Sequence, residues 1–182
     1  MGLIIEGPDA SGKSTLARNI SLESGMPLFL AGGKPRNDVE MWCMIADQRH
    51  AAKHGSIVDR VSSISQQVYR EGLFQREDLM TEALELCEQS IMVYCRPPMD
   101  ILLDPNKHEW KEYDTPEWKQ EILSNQQTYV SRYDFLMTKI PCIIYDWTAE
   151  NADHLRNMLC EFHKPIIQAR LREMVNINQV NK

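Results

Sequence analysis

The sequence has no long apolar segment, no paired cysteine motif and no stretch that resembles a signal peptide. No apolar run approaches the roughly 20 residues that a helix needs to cross a bilayer. The five cysteines are odd in number, scattered and without a C-x-x-C pair, which predicts reduced thiols and no zinc site. We therefore expect a protein of the cytoplasm that does not bind a membrane.

Positive charge is also scarce. The chain has 20 lysines and arginines against 26 acidic residues, a net charge of −6. The overall field would repel nucleic acid, so any contact with phosphate must be local. Of the 182 residues, 43% are hydrophobic, which is enough for one core, and no repeat or linker divides them. The sequence predicts a single domain over residues 1–182.

One specific motif stands out near the N-terminus. Leu3-Ile4-Ile5 is followed by Gly-Pro-Asp-Ala-Ser-Gly-Lys-Ser at positions 7–14, and then by a helical pattern that Gly25 ends. This is a Walker A phosphate-binding loop, in which backbone N–H groups point at phosphates and glycines make room for them. Lys13 would reach the β and γ phosphates, and the Ser14 hydroxyl would bind Mg²⁺. We predict an ATP and Mg²⁺ site formed by Gly7, Ala10, Ser11, Gly12, Lys13, Ser14 and Thr15.

Short apolar runs alternate with helical patterns along the rest of the chain. After the first strand, further strands are predicted at 27–30, 56–58, 91–95 and 142–145. Thr115 followed by Pro116 predicts a helix start, and 164–178 predicts a C-terminal helix. Five strands joined by helices require right-handed crossovers, so we predict an α/β fold of three layers, with a five-stranded parallel sheet and helices on both faces.

Ligands of such sheets bind at the carboxyl ends of the strands, where Asp59 and Arg60 follow the third strand. Asp59 is placed to hold Mg²⁺ or to accept a proton from an attacking hydroxyl, and Arg60 offers a fork for phosphate oxygens. The alternative is structural: Asp59 caps the helix that starts near Val61, and Arg60 forms a surface ion pair. We expect the functional roles in a chain that also carries a phosphate-binding loop.

The segment 4–15, together with Ile57-Val58-Asp59-Arg60 and the downstream Ser65, Val68 and Tyr69, resembles the thymidylate kinase family of nucleoside monophosphate kinases. The resemblance implies a P-loop kinase fold and catalysis by Lys13, Asp59, Arg60 and Asp9. In it, Asp9 would approach the sugar of the acceptor, Arg60 would hold its phosphate, and Ser65 to Tyr69 would lie along its base. Dimers are usual in that family, so the resemblance implies a homodimer as one expectation.

The same resemblance implies a lid that supplies a cation, because the loop itself contains no arginine. The lid-like insertion would span about 104–121, where the basic candidates are Lys107, His108, Lys111 and Lys119. Acidic residues outnumber lysines there, so an equal alternative to a catalytic lid is that these charged residues form a solvated surface. Trp110, Tyr113 and Trp118 in this segment are assigned to packing rather than to binding.

The acceptor half departs from the family pattern. Between the second and third strands, Gly32-Gly33-Lys34-Pro35-Arg36 replaces the usual Arg-x-Pro-Gly element, and we assign Lys34 and Arg36 to the acceptor. The fourth strand ends in Cys95-Arg96 where the family usually has an aspartate. Arg96 would then bind an additional phosphate, or serve as a surface arginine before Pro97-Pro98.

Three functions follow. The first is a kinase that transfers the γ-phosphoryl group of ATP to a thymidylate-like deoxynucleotide. The second is a bacteriophage kinase, acting in the host cytoplasm, that phosphorylates 5-hydroxymethyluracil in DNA; this modified pyrimidine would have to leave the helix, and the acidic charge opposes duplex binding. The third is a nucleotide-dependent ATPase or binding module.

Overall fold

A computed structural model describes residues 1–30, 33–107 and 115–180. Its strands are β1 (Gly2–Glu6), β2 (Leu28–Leu30), β3 (Ile57–Asp59), β4 (Ser90–Cys95) and β5 (Ile143–Tyr145). Its α-helices are α1 (Lys13–Ser24), α2 (Asp38–Lys53), α3 (Ser62–Tyr69), α4 (Glu77–Gln89), α5 (Met99–Leu102), α6 (Pro116–Met137), α7 (Ala152–Cys160) and α8 (Pro165–Val180). Two short 3₁₀ helices cover Glu71–Leu73 and Pro105–Lys107.

The five strands form one parallel sheet in the order β2-β3-β1-β4-β5. β1 is central, with Ile4 opposite Val58 on one side and Met92 on the other. Strands that are apolar on both faces require cover on both faces, and all residues of β1 and β4 are buried. The predicted parallel sheet and three layers are confirmed.

Each face of the sheet has its own core. Alternate residues of β1 point to opposite sides: Leu3 and Ile5 pack with α1, α7 and α8, whereas Ile4 packs with α3, α4 and α6. Tyr133 of α6 is fully buried in the second core. Because β1 and β3 lie in the middle, the loops that follow them are held between two packed layers.

Helix ends follow the predicted chemistry. Gly25 ends α1 in the left-handed conformation at φ 73°. The Thr115 side chain accepts a hydrogen bond from the Trp118 N–H at the start of α6, with proline in the first turn. The helical pattern of the sequence over about 38–53 predicts a helix, and α2 has these bounds in the structure. The C-terminal helix predicted at 164–178 is α8.

Some local predictions were wrong or lie outside the described residues. The helical spacing of apolar residues predicts that Leu84 lies on the buried face of its helix and Ile166 on that of the C-terminal helix, but they are 41% and 64% exposed. The separate helix α7 was not predicted. Of the predicted lid, residues 108–114 lie outside the described residues, and Lys119 belongs to α6. No helix in the described part of the chain is long and apolar enough to span a membrane.

Candidate active site

The phosphate-binding loop joins β1 to α1 at the carboxyl edge of the sheet. Gly7 has φ 155°, and a Cβ there would lie 2.6 Å from the Cys95 carbonyl oxygen, so only glycine fits without a shift. Gly12 is left-handed at φ 80° and leads directly into α1, which no described side chain caps. The N–H groups of the first helical turn are therefore left for an anion, which fits a bound triphosphate. The Ser11 hydroxyl is buried without a partner among the described residues.

Lys13 is buried at the start of α1 and curls back over the loop. Its Nζ donates to the Pro8 carbonyl at 3.3 Å and lies 3.7 Å from Asp9 Oδ1. Burial and the neighbouring charge of Arg60 lower the pKa of Lys13, whereas Asp9 and Asp59 raise it. The ammonium is thus placed between the loop and two carboxylates, where a phosphate oxygen could replace the carbonyl contact.

Asp9 links the loop to the turn after β3. Arg60 donates to Asp9 Oδ1 at 2.9 Å, and the Tyr69 hydroxyl donates to Asp9 Oδ2 at 3.1 Å. The Arg60 guanidinium also lies 5.0 Å from the centre of the Tyr69 ring. Burial alone would raise the pKa of Asp9, but Arg60 and Lys13 outweigh it and hold the pKa at about 2. Asp9, Arg60, Tyr69 and Lys13, all predicted site residues, form one contacting cluster.

Asp59 lies behind this cluster as the last residue of β3. It is only 8% exposed, and its Oδ1 has no hydrogen-bond partner among the described residues. The N-cap position of α3 is Val61, and that helix has no side-chain cap, so Asp59 does not act as the helix cap of the structural alternative. A buried, unpartnered carboxylate oxygen beside a phosphate loop has the ligand chemistry that Mg²⁺ prefers. Ser14, the other predicted metal ligand, is partly buried in the first turn of α1.

Two buried residues of this site were missed by the sequence reasoning. Glu6 ends β1 and contacts the loop, the turn after β3 and α6. Gln126 of α6 donates to the Asp9 carbonyl at 2.8 Å, while its Oε1 has no partner among the described residues. A signal existed for both. Glu6 is a charge at the end of an apolar strand, and Gln126 shares a helical face with Tyr129 and Tyr133.

The inner face of α3 is polar. Ser65 and its neighbour Gln66 are buried, and the Gln66 Oε1 has no partner among the described residues. The Tyr69 ring lies 4.8 Å from that of Tyr129 in α6, which brings these two helices together beside Asp9. Buried polar groups are normally satisfied, so this face is suited to a polar ligand such as a nucleobase.

The other predicted acceptor residues lie away from the cluster. Arg96 forms a two-pronged contact with Asp134 at 2.8 and 3.0 Å and donates to the Pro97 carbonyl, so its guanidinium ties β4 to α6. Arg36 is beside α2 with its side chain 89% exposed, and Lys34 Nζ is 5.8 Å from the centre of the Trp118 ring. In the described structure, neither Lys34 nor Arg36 contacts the cluster around Asp9.

Trp147, just after β5, borders the loop on the opposite side. A Cβ on Gly12 would lie 3.1 to 3.2 Å from the Trp147 ring, which shows how closely the indole approaches the loop. The indole remains 41% exposed. The turn that carries it is fixed by Asp146, which accepts hydrogen bonds from the Thr148 N–H and hydroxyl.

Comparison with known proteins places the fold. No family model matches the sequence, and no curated protein matches it significantly. Among solved structures, the YorR protein of Bacillus subtilis, in complex with phosphorylated GDP, is 16% identical with a TM-score of 0.64, covering 90% of this chain and 97% of its own. A gluconokinase from Sinorhizobium meliloti has a TM-score of 0.55 at 16% identity, covering 97% of this chain and 96% of its own. Deoxyadenosine kinase from M. mycoides with bound dATP has a TM-score of 0.51 at 18% identity, covering 87% of this chain and 99% of its own.

These likenesses concern the fold, because identities of 16 to 18% are too low to carry function. The chain shares the three-layer α/β fold of these solved structures, two of which are kinases. The finer resemblance to thymidylate kinases stays a prediction.

Proposed function

We propose that this protein is an ATP- and Mg²⁺-dependent kinase that transfers the γ-phosphoryl group to a deoxynucleotide, in the manner of thymidylate kinases. The observation that carries the proposal is the contact of Arg60 with Asp9 inside the phosphate-binding loop, at 2.9 Å. An arginine at this position puts a phosphate-binding fork beside the site of the donor phosphates. An arginine beside the γ phosphate also serves ATP hydrolysis, so the transfer assay below includes phosphate release as a separate outcome.

The donor half is supported by the loop and by Lys13. The uncapped first turn of α1 and the glycine positions leave room for phosphate oxygens, and Lys13 lies over them. Bound Mg²⁺ would neutralise charge on the β and γ phosphates. Ser14 and the unpartnered oxygen of Asp59 are the residues that would hold it, directly or through water. The exposed Trp147 indole offers an apolar surface beside the loop for the base of the nucleotide.

The acceptor half is supported by the cluster around Asp9. Arg60 would hold the acceptor phosphate in line with the leaving ADP. An oxygen of the acceptor phosphate would then attack the γ phosphorus as the bond between that phosphorus and the β,γ-bridging oxygen breaks. Asp9 would meet a sugar hydroxyl of the acceptor, and the polar face of α3 with Ser65 and Tyr69 would lie along its base. Solved structures of the same fold hold dATP in one case and phosphorylated GDP in another, which supports nucleotides as a class.

The experiment is a transfer assay with γ-labelled ATP and Mg²⁺. Acceptors should include thymidylate, the other deoxynucleoside monophosphates, gluconate, and duplex DNA with and without 5-hydroxymethyluracil. Label in a free deoxynucleotide supports the proposal. Label only in modified DNA would replace it by the DNA kinase, and release of phosphate without any labelled acceptor would replace it by an ATPase.

A further inference from the structure

Glu6 is the most deeply buried charged group in the described part of the site. Its side chain is 0% exposed and accepts hydrogen bonds from three separate elements. Its Oε1 accepts from the backbone N–H of Val61, in a short contact, and its Oε2 accepts from the Gly7 N–H at 3.3 Å and the Tyr133 hydroxyl at 3.1 Å. One carboxylate therefore joins the loop, the turn after β3 and α6.

The turn that Glu6 contacts is conformationally unusual. Arg60 has φ 73°, a left-handed conformation that is unfavourable for a residue with a Cβ atom. Such a conformation persists only when the surroundings hold it. Two backbone hydrogen bonds fix this conformation. The Arg60 N–H donates to the Ile5 carbonyl at 2.9 Å, and the N–H of the next residue, Val61, donates to Glu6.

The left-handed turn directs the Arg60 side chain toward the phosphate-binding loop. If residue 60 relaxed to an ordinary conformation, the chain would leave β3 in another direction and the contact with Asp9 would be lost. The backbone of this turn, rather than the Asp9 ion pair alone, therefore sets where the guanidinium lies. Glu6 fixes that backbone to β1, the same strand from which the loop begins.

We propose that Glu6 is a positioning residue, whose carboxylate holds the turn after β3 so that Arg60 faces the acceptor phosphate across the loop. This rests on the proposed function, in which Arg60 binds the acceptor. Both carboxylate oxygens of Glu6 are taken up by protein donors, those of Val61, Gly7 and Tyr133, and we therefore assign Glu6 to positioning rather than to contact with a reacting atom. Its action is transmitted through the backbone, so removing its charge should harm alignment of the acceptor and spare the binding of ATP.

The test variant is Glu6→Gln, which keeps the size of the side chain. Its single amide oxygen cannot accept from Val61 on one side and from Gly7 and Tyr133 on the other, because its NH₂ group only donates, and a contact with Val61 that remains is no longer assisted by charge. We expect kcat to fall about 10- to 100-fold and the KM for the acceptor to rise, with the KM for ATP changed less than about threefold. The melting temperature at pH 7.5 should be unchanged or higher, because a buried carboxylate is removed.

Two tyrosine variants form a matched pair. Tyr133→Phe removes one donor to Glu6 and should lower kcat about three- to tenfold. Tyr94→Phe removes the hydroxyl of another buried tyrosine, which donates to Asp134 at 2.7 Å, and should leave kcat within about twofold. Unchanged kcat in Glu6→Gln would overturn the inference, as would parallel losses of ATP binding, acceptor binding and melting temperature, which indicate a merely structural role.

A readout without turnover separates this inference from the proposed function. In wild-type protein, the amide proton of Val61 should resonate far downfield because it donates to a carboxylate, and Glu6→Gln should shift it together with the Arg60 Nε–H signal. If no acceptor is ever labelled, the proposed function fails while these shifts still test the role of Glu6. Unmoved Val61 and Arg60 signals would refute that role even in an active kinase.

Discussion

Asp59→Asn separates the catalytic role of Asp59 from a structural one. Asp59 is 8% exposed, and its Oδ1 has no hydrogen-bond partner among the described residues, so the amide retains the size and the free acceptor. What the variant loses is a negative charge that acts on Lys13. The substitution therefore changes charge at the end of β3 while leaving the packing of the strand intact.

The expected loss in rate is large and the expected loss in stability is small. Removing a group that holds Mg²⁺ or aligns a proton costs about 10²- to 10⁴-fold in kcat, which is roughly 3 to 5 kcal/mol of transition-state stabilisation. An isosteric change without a lost hydrogen bond should alter the free energy of unfolding by about 1 kcal/mol, or roughly 2 to 4 °C in melting temperature. ATP affinity measured without Mg²⁺ should stay within about threefold of wild type.

The assay is label transfer over a Mg²⁺ titration, with melting temperature measured on the same samples. Asp47→Asn makes the same chemical change at an exposed position on α2 and serves as control. A rate within threefold of wild type at saturating Mg²⁺ would refute the catalytic role. The catalytic role would also be refuted if the loss of rate were fully accounted for by the fraction of the variant that is unfolded under the assay conditions.

Three further predictions concern the same site and its support. Lys13→Ala should reduce label transfer to background, and undiminished turnover in that assay would contradict the kinase proposal. Burial raises the pKa of Glu6 from 4.5 to about 7, against the opposing charges of Arg60 and Lys13 and the hydrogen bonds from Val61 and Tyr133. The folded state then keeps a proton that the unfolded chain releases, so stability should fall between pH 4.5 and 7 by on the order of 3 kcal/mol. Chemical denaturation at several pH values should show this component in wild type and not in Glu6→Gln. Asp134→Asn should weaken the contact of β4 with α6, lowering melting temperature by roughly 2 to 4 °C with ATP affinity unchanged, because the Arg96 fork loses its charged partner.

The sheet and the conformation of the loop between β1 and α1 could be predicted because their signals are local. Leu3, Ile4 and Ile5 make β1 apolar on both faces of the sheet. The glycines at 7 and 12 have the backbone conformations that a phosphate-binding loop requires. Asp59 and Arg60 followed from one further rule, that strand ends meet at one edge of a parallel sheet.

The acceptor side could not be predicted equally well, because it depends on contacts between distant elements. Arg96 was expected at the ligand edge, yet its guanidinium pairs with Asp134, which lies 38 residues away in sequence. Gln126 reaches the loop across 117 residues of sequence. No spacing rule predicts such pairs, since they depend on how α6 crosses the sheet.

The balance of charge in the site explains why the metal matters to the proposed reaction. Among the described residues, the charged groups that interact around the loop are two cations, Lys13 and Arg60, and three carboxylates, those of Asp9, Asp59 and Glu6. With Glu6 ionised these five groups sum to −1, and with Glu6 protonated they sum to zero. A polyanionic donor and an anionic acceptor would therefore meet no net positive charge from them. Within the part of the chain that the structure describes, the N-terminus of α1 and a rearranged Asp9 ion pair can supply attraction, and bound Mg²⁺ would add to it. Raising the Mg²⁺ concentration should then strengthen ATP binding more in wild type than in Asp59→Asn, which already lacks one of the three carboxylates and one candidate ligand.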